Sequence, residues 1–256
     1  MGFFSALKFL TVFRLPWPKN ETTEDVGRST RWFPAAGLVI GLILAGLNWL
    51  FNLFLPPAVS NGLTVVAMVL ITGAMHLDGL ADTFDGLAGN KSPEDRWKVM
   101  HDSRSGAFGV VSLVLLLLVK FILLNAVPRG MIAPVLVLTA VFGRWAMAYA
   151  ISAFPYAHKE GLGKAFKDAA GRPGLCIATL ITLVLAVLLT WWAGLRYYYL
   201  AGIAVLVLWL FVTLLATYFR HKFAGLTGDT YGAINELAET GTLLLFSIIA
   251  WNGLFV

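Results

Sequence analysis

Hydrophobic residues fall in long blocks along this chain, and polar residues gather in a few islands between them. Seven blocks approach the roughly 20 apolar residues that a bilayer-crossing helix needs. They cover about 35–55, 57–77, 107–127, 131–155, 174–195, 197–219 and 240–256. The last is short alone, and Tyr231–Glu239 can extend it as one helix. The links after the first, third and fifth blocks (Pro56-Pro57, Pro128–Gly130, Leu195–Tyr197) are short, as in helical hairpins. Those after the second, fourth and sixth are long and polar. Ahead of the first block, Phe3, Phe4, Leu7, Phe9, Leu10, Val12 and Phe13 mix with Lys8 and Arg14. That stretch is too short to span and is ended by Pro16 and Pro18, which predicts an interfacial amphipathic helix. The expected fold is all-α: a polytopic membrane helix bundle of about seven transmembrane helices plus an N-terminal interfacial helix. One domain over 1–256 is expected, with no internal repeat or low-complexity tract.

Composition agrees. The chain is 59% hydrophobic and only 13% charged, against about 25% charged in soluble domains. Its single cysteine, Cys176, excludes an intramolecular disulfide and a cysteine-based metal site. No cleavable signal peptide is evident, and the Met-Gly start lacks the Ser or Thr at position 6 that myristoylation needs. The basic residues set an orientation. Lys8, Arg14, Lys19, Arg28 and Arg31 precede the first block. Lys91, Arg96, Lys98 and Arg104 lie in the 78–106 loop, Lys159, Lys164, Lys167 and Arg172 in the 156–173 loop, and Arg220 and Lys222 in the 220–239 loop. The opposite side has only Arg129 and Arg196. The N-terminus and long loops should therefore be cytoplasmic and the C-terminus outside. This topology accounts for the net charge of +5 without nucleic acid. All 14 acidic residues fall on the cytoplasmic side too, so one face carries the chemistry.

Three islands could carry it. The first runs from His76 to Gly86, with Asp78, Asp82 and Asp85 sharing one helical face. Three like charges repel unless a cation sits between them. Hard divalent ions take oxygen ligands and leave positions open for phosphate. The second runs from Gly225 to Glu239: Asp229 and Glu236 share a face, Glu239 lies one turn on, and Thr227 or Asp229 can cap the helix beside Gly228. The third, His101–Gly109, joins Asp102 and Arg104, whose guanidinium can fork onto phosphate, to Gly106 and Gly109. His76 and His101 are candidate acid–base groups or plain hydrogen-bonding histidines. Two cations lie inside apolar blocks. Lys120 reads as snorkelling to the outer interface. Arg144 must face the bundle interior, toward a substrate anion or a buried carboxylate. Lys164, Lys167 and Arg172 offer another anion contact or a solvated face. Trp191, Trp192, Tyr197, Tyr198 and Tyr199 read as an outer interfacial belt.

At these residues the chain resembles the cobalamin synthase (adenosylcobinamide-GDP ribazoletransferase) family. The shared segments are Phe9-Leu-Thr with Arg14-Leu-Pro16, Phe33-Pro-Ala-Ala-Gly37 with Gly41, and His76-Leu-Asp-Gly-Leu-Ala-Asp-Thr-Phe-Asp-Gly86. Asp102-Ser-Arg-Ser-Gly-Ala-Phe-Gly109, Gly143-Arg144 and Leu226-Thr-Gly-Asp-Thr-Tyr-Gly-Ala233 with Glu236 complete them. The chain departs at Ala157-His158, where an Ala-Arg pair is usual, and at Ala224-Gly225, where a Gly pair is usual. The resemblance implies a Mg²⁺-dependent transferase of the cell inner (cytoplasmic) membrane. It would join adenosylcobinamide-GDP to α-ribazole, or its 5′-phosphate, and release GMP. Together the residues and the resemblance assign Asp78, Asp82, Asp85, Asp229, Glu236 and Glu239 to Mg²⁺, with His76, Asp82 and Arg104 as catalytic groups. Arg144, Asp102, Gly106, Thr227, Gly228 and Lys164 are assigned to substrate. Partners beyond the bilayer and these small molecules, such as a second copy or other corrinoid-assembly enzymes, stay open.

Polytopic prenyltransferases and CDP-alcohol phosphotransferases also bind Mg²⁺-diphosphate through paired Asp motifs, but neither spacing is matched. A transporter would place its carboxylates near the bilayer midplane, whereas these lie at the cytoplasmic rim.

Overall fold

A computed structural model describes residues 2–13, 22–102, 104–192 and 199–253, without the side chains of 162 and 199–201. Arg14, Pro16, Pro18, Lys19, the Leu195–Tyr197 link and the Tyr197–Tyr199 aromatics of the belt lie outside what is described. The helices are α1 (Gly2–Leu10), α2 (Thr23–Arg28), α3 (Phe33–Asn52), α4 (Pro57–Thr72), α5 (Met75–Leu87) and α6 (Pro93–Met100). They continue with α7 (Ala107–Ala126), α8 (Ile132–Ala153), α9 (Leu162–Trp192), α10 (Tyr199–Phe223) and α11 (Gly228–Trp251). Short 3₁₀ turns at Ser29–Trp32 and Arg129–Met131 lead into α3 and α8. Among the described residues six helices are long and apolar enough to cross a bilayer, and α4 with α5 makes a seventh, bent pair. The protein is a multi-pass membrane helix bundle.

Helix α8 is the axis. Its crossing segment is 94% buried, so it reads as an all-round hydrophobic helix. α3 lies directly on it: a Cβ on Gly37 would come 2.6 Å from the Ala140 carbonyl, and one on Gly41 would come 2.5 Å from Val137 Cα. Small residues four apart bring helices this close where lipid gives no hydrophobic drive for association. Around α8, large apolar side chains such as Leu115, Leu118, Val187, Leu188, Leu206 and Leu210 are exposed and face outward, as lipid contact requires. Trp49, Trp191 and Trp251 are exposed at the ends of α3, α9 and α11 remote from the acidic islands, where an aromatic belt belongs. At that end Asn48 donates to Asn61 and Thr64 (both 3.0 Å), and Asn61 donates to Asn125 (3.1 Å). These amides pin α3, α4 and α7 together.

The second apolar block does not run to residue 77 as one helix. α4 ends at Thr72, Gly73 and Ala74 both take positive φ (63° and 59°), and α5 leaves at 90°. The last block does extend backward, so α11 is one helix from Gly228. The N-terminal helix forms with Leu7 and Leu10 buried, and the Val12 N–H donates to the Ile71 carbonyl (2.9 Å), tying it to the end of α4.

Candidate functional site

The acidic islands meet where α5 crosses the start of α11. Gly79 lies against the backbone of Asp229, and Gly232 lies against the backbone of His76 (3.2 Å to a Cβ built on Gly232). α11 begins with a capping box: the Thr230 N–H donates to the Thr227 hydroxyl (3.2 Å), and the Thr230 hydroxyl accepts from the Thr227 N–H (2.7 Å). That box leaves Gly228 exposed as the first helical residue and Asp229 in the first turn, where a carboxylate complements the helix dipole. Thr227 is therefore occupied by capping.

Asp82 is half-buried on α5, and the charges acting on it are those of Asp78, Asp229, Asp85 and His101. Asp229 in turn faces His101, Asp78 and His158. Asp78, Asp82 and Asp229 thus form one acidic rim, and none has a salt-bridge partner among the described residues. They are not drawn into a closed cage: among the described residues no three metal-binding side chains converge. Mg²⁺ is commonly held by one or two carboxylates with substrate phosphates supplying the rest. Asp82 with Asp78 or Asp229 fits that donor set.

The other three carboxylates assigned to metal have different work. Asp85 is buried and accepts from the Gly106 N–H (2.7 Å) and the Gly109 N–H (2.8 Å). It anchors the loop before α7, so Gly106 is committed to Asp85. Glu236 and Glu239 are buried in the bundle. Lys120 donates to both, at 2.6 and 2.5 Å, and Arg144 pairs with Glu239. Lys120 does not snorkel: two carboxylates more than a hundred residues away hold it inside. Arg144 finds the buried-carboxylate partner, and no substrate anion is needed to explain it. Two cations and two anions cancel, so this group leaves no net charge for a coupling ion. Bringing them together is far cheaper than burying any one alone.

Arg104 grips Asp102 with two N–H groups, Nε to Oδ1 (3.1 Å) and Nη2 to Oδ2 (2.8 Å). These bonds hold the Asp102 carboxyl down at about 2. The pair stands exposed beside an open groove of about 450 Å³ that Lys91 also lines. Lys164 pairs with Asp168 on the surface of α9. His76 is fully buried with neither ring nitrogen hydrogen-bonded among the described residues, and it lines a mainly apolar cavity.

Sequence reading missed several neighbours. The rings of Trp97, His158, Tyr156 and Tyr231 follow one another at 4.6, 5.9 and 6.2 Å between centroids. This aromatic file carries His158, the departure from the usual arginine, to Asp229. A hydrogen-bonded bridge between Tyr156 and Leu226 holds it: the Ala157 N–H donates to the Leu226 carbonyl (2.8 Å), and the Leu226 N–H donates to Pro155 (2.9 Å). Gly225 permits this approach, since a Cβ there would lie 2.6 Å from Ala157 Cα. The Trp97 indole donates to the Phe223 carbonyl (3.1 Å), and buried Arg96 donates to the Gly86 carbonyl (2.7 Å), so α6 roofs the same end. Only the unusual pair at 157–158 hinted at this wall.

The sequence profile described as cobalamin-5-phosphate synthase matches residues 2–247. Proteins named adenosylcobinamide-GDP ribazoletransferase are similar throughout. That of Geotalea daltonii is 39% identical over 99% of this chain and 98% of its own length. That of Roseiflexus sp. is 39% identical over 96% and 88%, and that of Pseudomonas syringae pv. syringae 36% over 97% and 100%. No solved structure matches the chain. Matching over nearly its whole length, the chain belongs to the cobalamin-5-phosphate synthase family.

Proposed function

We propose that this protein is an adenosylcobinamide-GDP ribazoletransferase of the cytoplasmic membrane, with its N-terminus and polar loops inside the cell and its C-terminus outside. The observation that carries the reading is the rim of Asp78, Asp82 and Asp229, assembled from two helices, with Arg104 and Lys91 on a groove lined by Asp85, one turn along α5 from Asp82. The excess of Lys and Arg at the same end supports the orientation.

A hydroxyl of α-ribazole, or of its 5′-phosphate, attacks the phosphorus attached to the cobinamide arm. The new P–O bond forms as the anhydride bond breaks, and GMP departs. Such transfers need positioning and charge neutralisation more than covalent help. Asp82 with Asp78 or Asp229 would hold Mg²⁺, which would supply charge neutralisation at the diphosphate. Arg104 turns from Asp102 to the phosphate oxygens, and Asp85 keeps its loop in place. The rim carboxylate not engaged by metal takes the hydroxyl proton. His76 faces a cavity and orients substrate.

The test is direct. Purified protein with adenosylcobinamide-GDP, α-ribazole and Mg²⁺ should release GMP, and a chelator should stop it. Asp82→Ala should abolish turnover while the protein stays in the membrane. GMP release in excess chelator would remove Mg²⁺ from this reading, and full activity of Asp82→Ala would remove Asp82.

A further inference from the structure

Beside the α5–α11 crossing lies a cavity of about 120 Å³ whose lining includes none of Asp78, Asp82 and Asp229. Phe9 and Phe166 form one wall, with ring centroids 4.8 Å apart, and Met147 and Ile151 of α8 form another. His76 and Tyr231 line the remainder. Both are buried, at 2% and 4% exposure, and both histidine nitrogens and the tyrosine hydroxyl lack a hydrogen-bond partner among the described residues. Native proteins rarely leave such groups unpaired.

We infer that this cavity receives the benzimidazole of α-ribazole, the acceptor nucleoside of the proposed reaction. The inference rests on that reading. Among the described residues its liners include no carboxylate, lysine or arginine, so a phosphate or other ion finds no counter-charge in them. A flat apolar ring suits these walls, as apolar cavities of this order, about 150 Å³, admit benzene. Guanine, the base of the donor, presents three N–H donors that need acceptors, and the described side chains of this cavity offer two at most, a histidine nitrogen and the Tyr231 hydroxyl oxygen. Dimethylbenzimidazole presents a single ring lone pair and two methyl groups. The Tyr231 hydroxyl or the His76 N–H donates to that lone pair, and the methyl groups meet Phe9, Met147 and Phe166. The cavity reaches Gly228, next to Asp229, so a base seated here leaves its ribose at the acidic rim.

The experiment compares wild type, Tyr231→Phe and Met147→Trp in lipid nanodiscs. It reads KM for α-ribazole, KM for adenosylcobinamide-GDP, and α-ribazole binding by calorimetry without donor. Tyr231→Phe should weaken α-ribazole about fivefold, the equivalent of one neutral hydrogen bond, with KM for the donor unchanged. Met147→Trp, which fills the cavity, should weaken α-ribazole about tenfold or more and leave the donor alone. The analogue with C–H in place of the free ring nitrogen should bind wild type weakly and lose nothing further in Tyr231→Phe. Unchanged α-ribazole affinity in Met147→Trp, or a change confined to the donor, overturns the assignment. If wild type releases no GMP, the transfer reading fails. Calorimetry then decides the cavity separately: binding sensitive to Met147→Trp supports it, and absent or insensitive binding overturns it.

Discussion

Gly79 and Asp229 touch backbone to backbone: a Cβ on Gly79 would stand 2.8 Å from the Asp229 carbonyl oxygen and 2.9 Å from its Cα. The acidic rim depends on this contact, because it sets how near α5 can bring Asp82 to α11. Gly79→Ala gains about 1 kcal/mol of helix propensity. It also forces a methyl group into backbone that has nowhere to move, at about 1–3 kcal/mol. The expected result is a lower melting temperature in detergent and a steep loss of GMP release, with membrane insertion intact. A fully active, equally stable Gly79→Ala would show that the spacing of this crossing is not used.

Asp85 offers a second check, because it separates anchoring from metal binding. Asp85→Asn keeps the size but replaces one charged acceptor by an amide N–H₂ facing the Gly106 or Gly109 N–H. Hydrogen bonds to charged groups contribute about 1.5–3 kcal/mol. The variant should raise KM for adenosylcobinamide-GDP through a loosened Arg104 loop while its Mg²⁺ requirement stays put. A shifted Mg²⁺ titration with unchanged KM would return Asp85 to the metal.

The buried charges predict a non-additive pattern. Lys120→Met leaves Glu236 without its cation, and breaking a buried pair costs about 3–5 kcal/mol. Lys120→Met combined with Glu236→Leu leaves Arg144 and Glu239 as a matched pair and should recover much of that loss. Denaturation of both variants in the same detergent measures the coupling. Equal losses would mean that the pairs act independently.

Ala224 occupies the left-handed region at φ 54°, where a side chain costs about 1–2 kcal/mol. Its replacement by the glycine usual in the resembling family should stabilise the protein by up to about 1 kcal/mol, part of the gain being offset by the entropy of an unfolded glycine. The melting temperature should rise and KM values should hold. A fall in stability would contradict the strain.

Acidity should act through His158. Burial, and then the neighbouring charge of His101, push its imidazole below the usual 6.5, against a weaker pull from Asp229. The unfolded chain therefore takes up this proton first. The stability it contributes is complete above pH 6.5 and falls away below it until the folded histidine is itself protonated. Unfolding followed from pH 7.5 to 5.5 should show this slope, and His158→Gln should flatten it. The Asp102–Arg104 pair lies outside that window, since Asp102 is held down to about 2.

The apolar blocks were enough to foretell the helices, because a bilayer leaves the backbone little choice. The break after Thr72 was not legible: Gly73 signals a helix end, but Ala74 in a left-handed conformation does not. The carboxylate spacing correctly put Asp78, Asp82 and Asp85 along one stripe. It could not say that the stripe passes from open rim to buried anchor within two turns. The partners that settle Asp85, Lys120 and Arg144 lie 21 to 119 residues away in sequence. No local pattern encodes them.

The Lys120–Glu236–Glu239–Arg144 group also bears on how the molecule is made. The two cations enter the bilayer with α7 and α8, and their counter-ions arrive only with α11. Until that helix is threaded, the nascent protein carries naked positive charge among lipids. A ribosome stalled before residue 236 would leave a species fit for proteolytic surveillance, so the closing helix doubles as the seal on biogenesis.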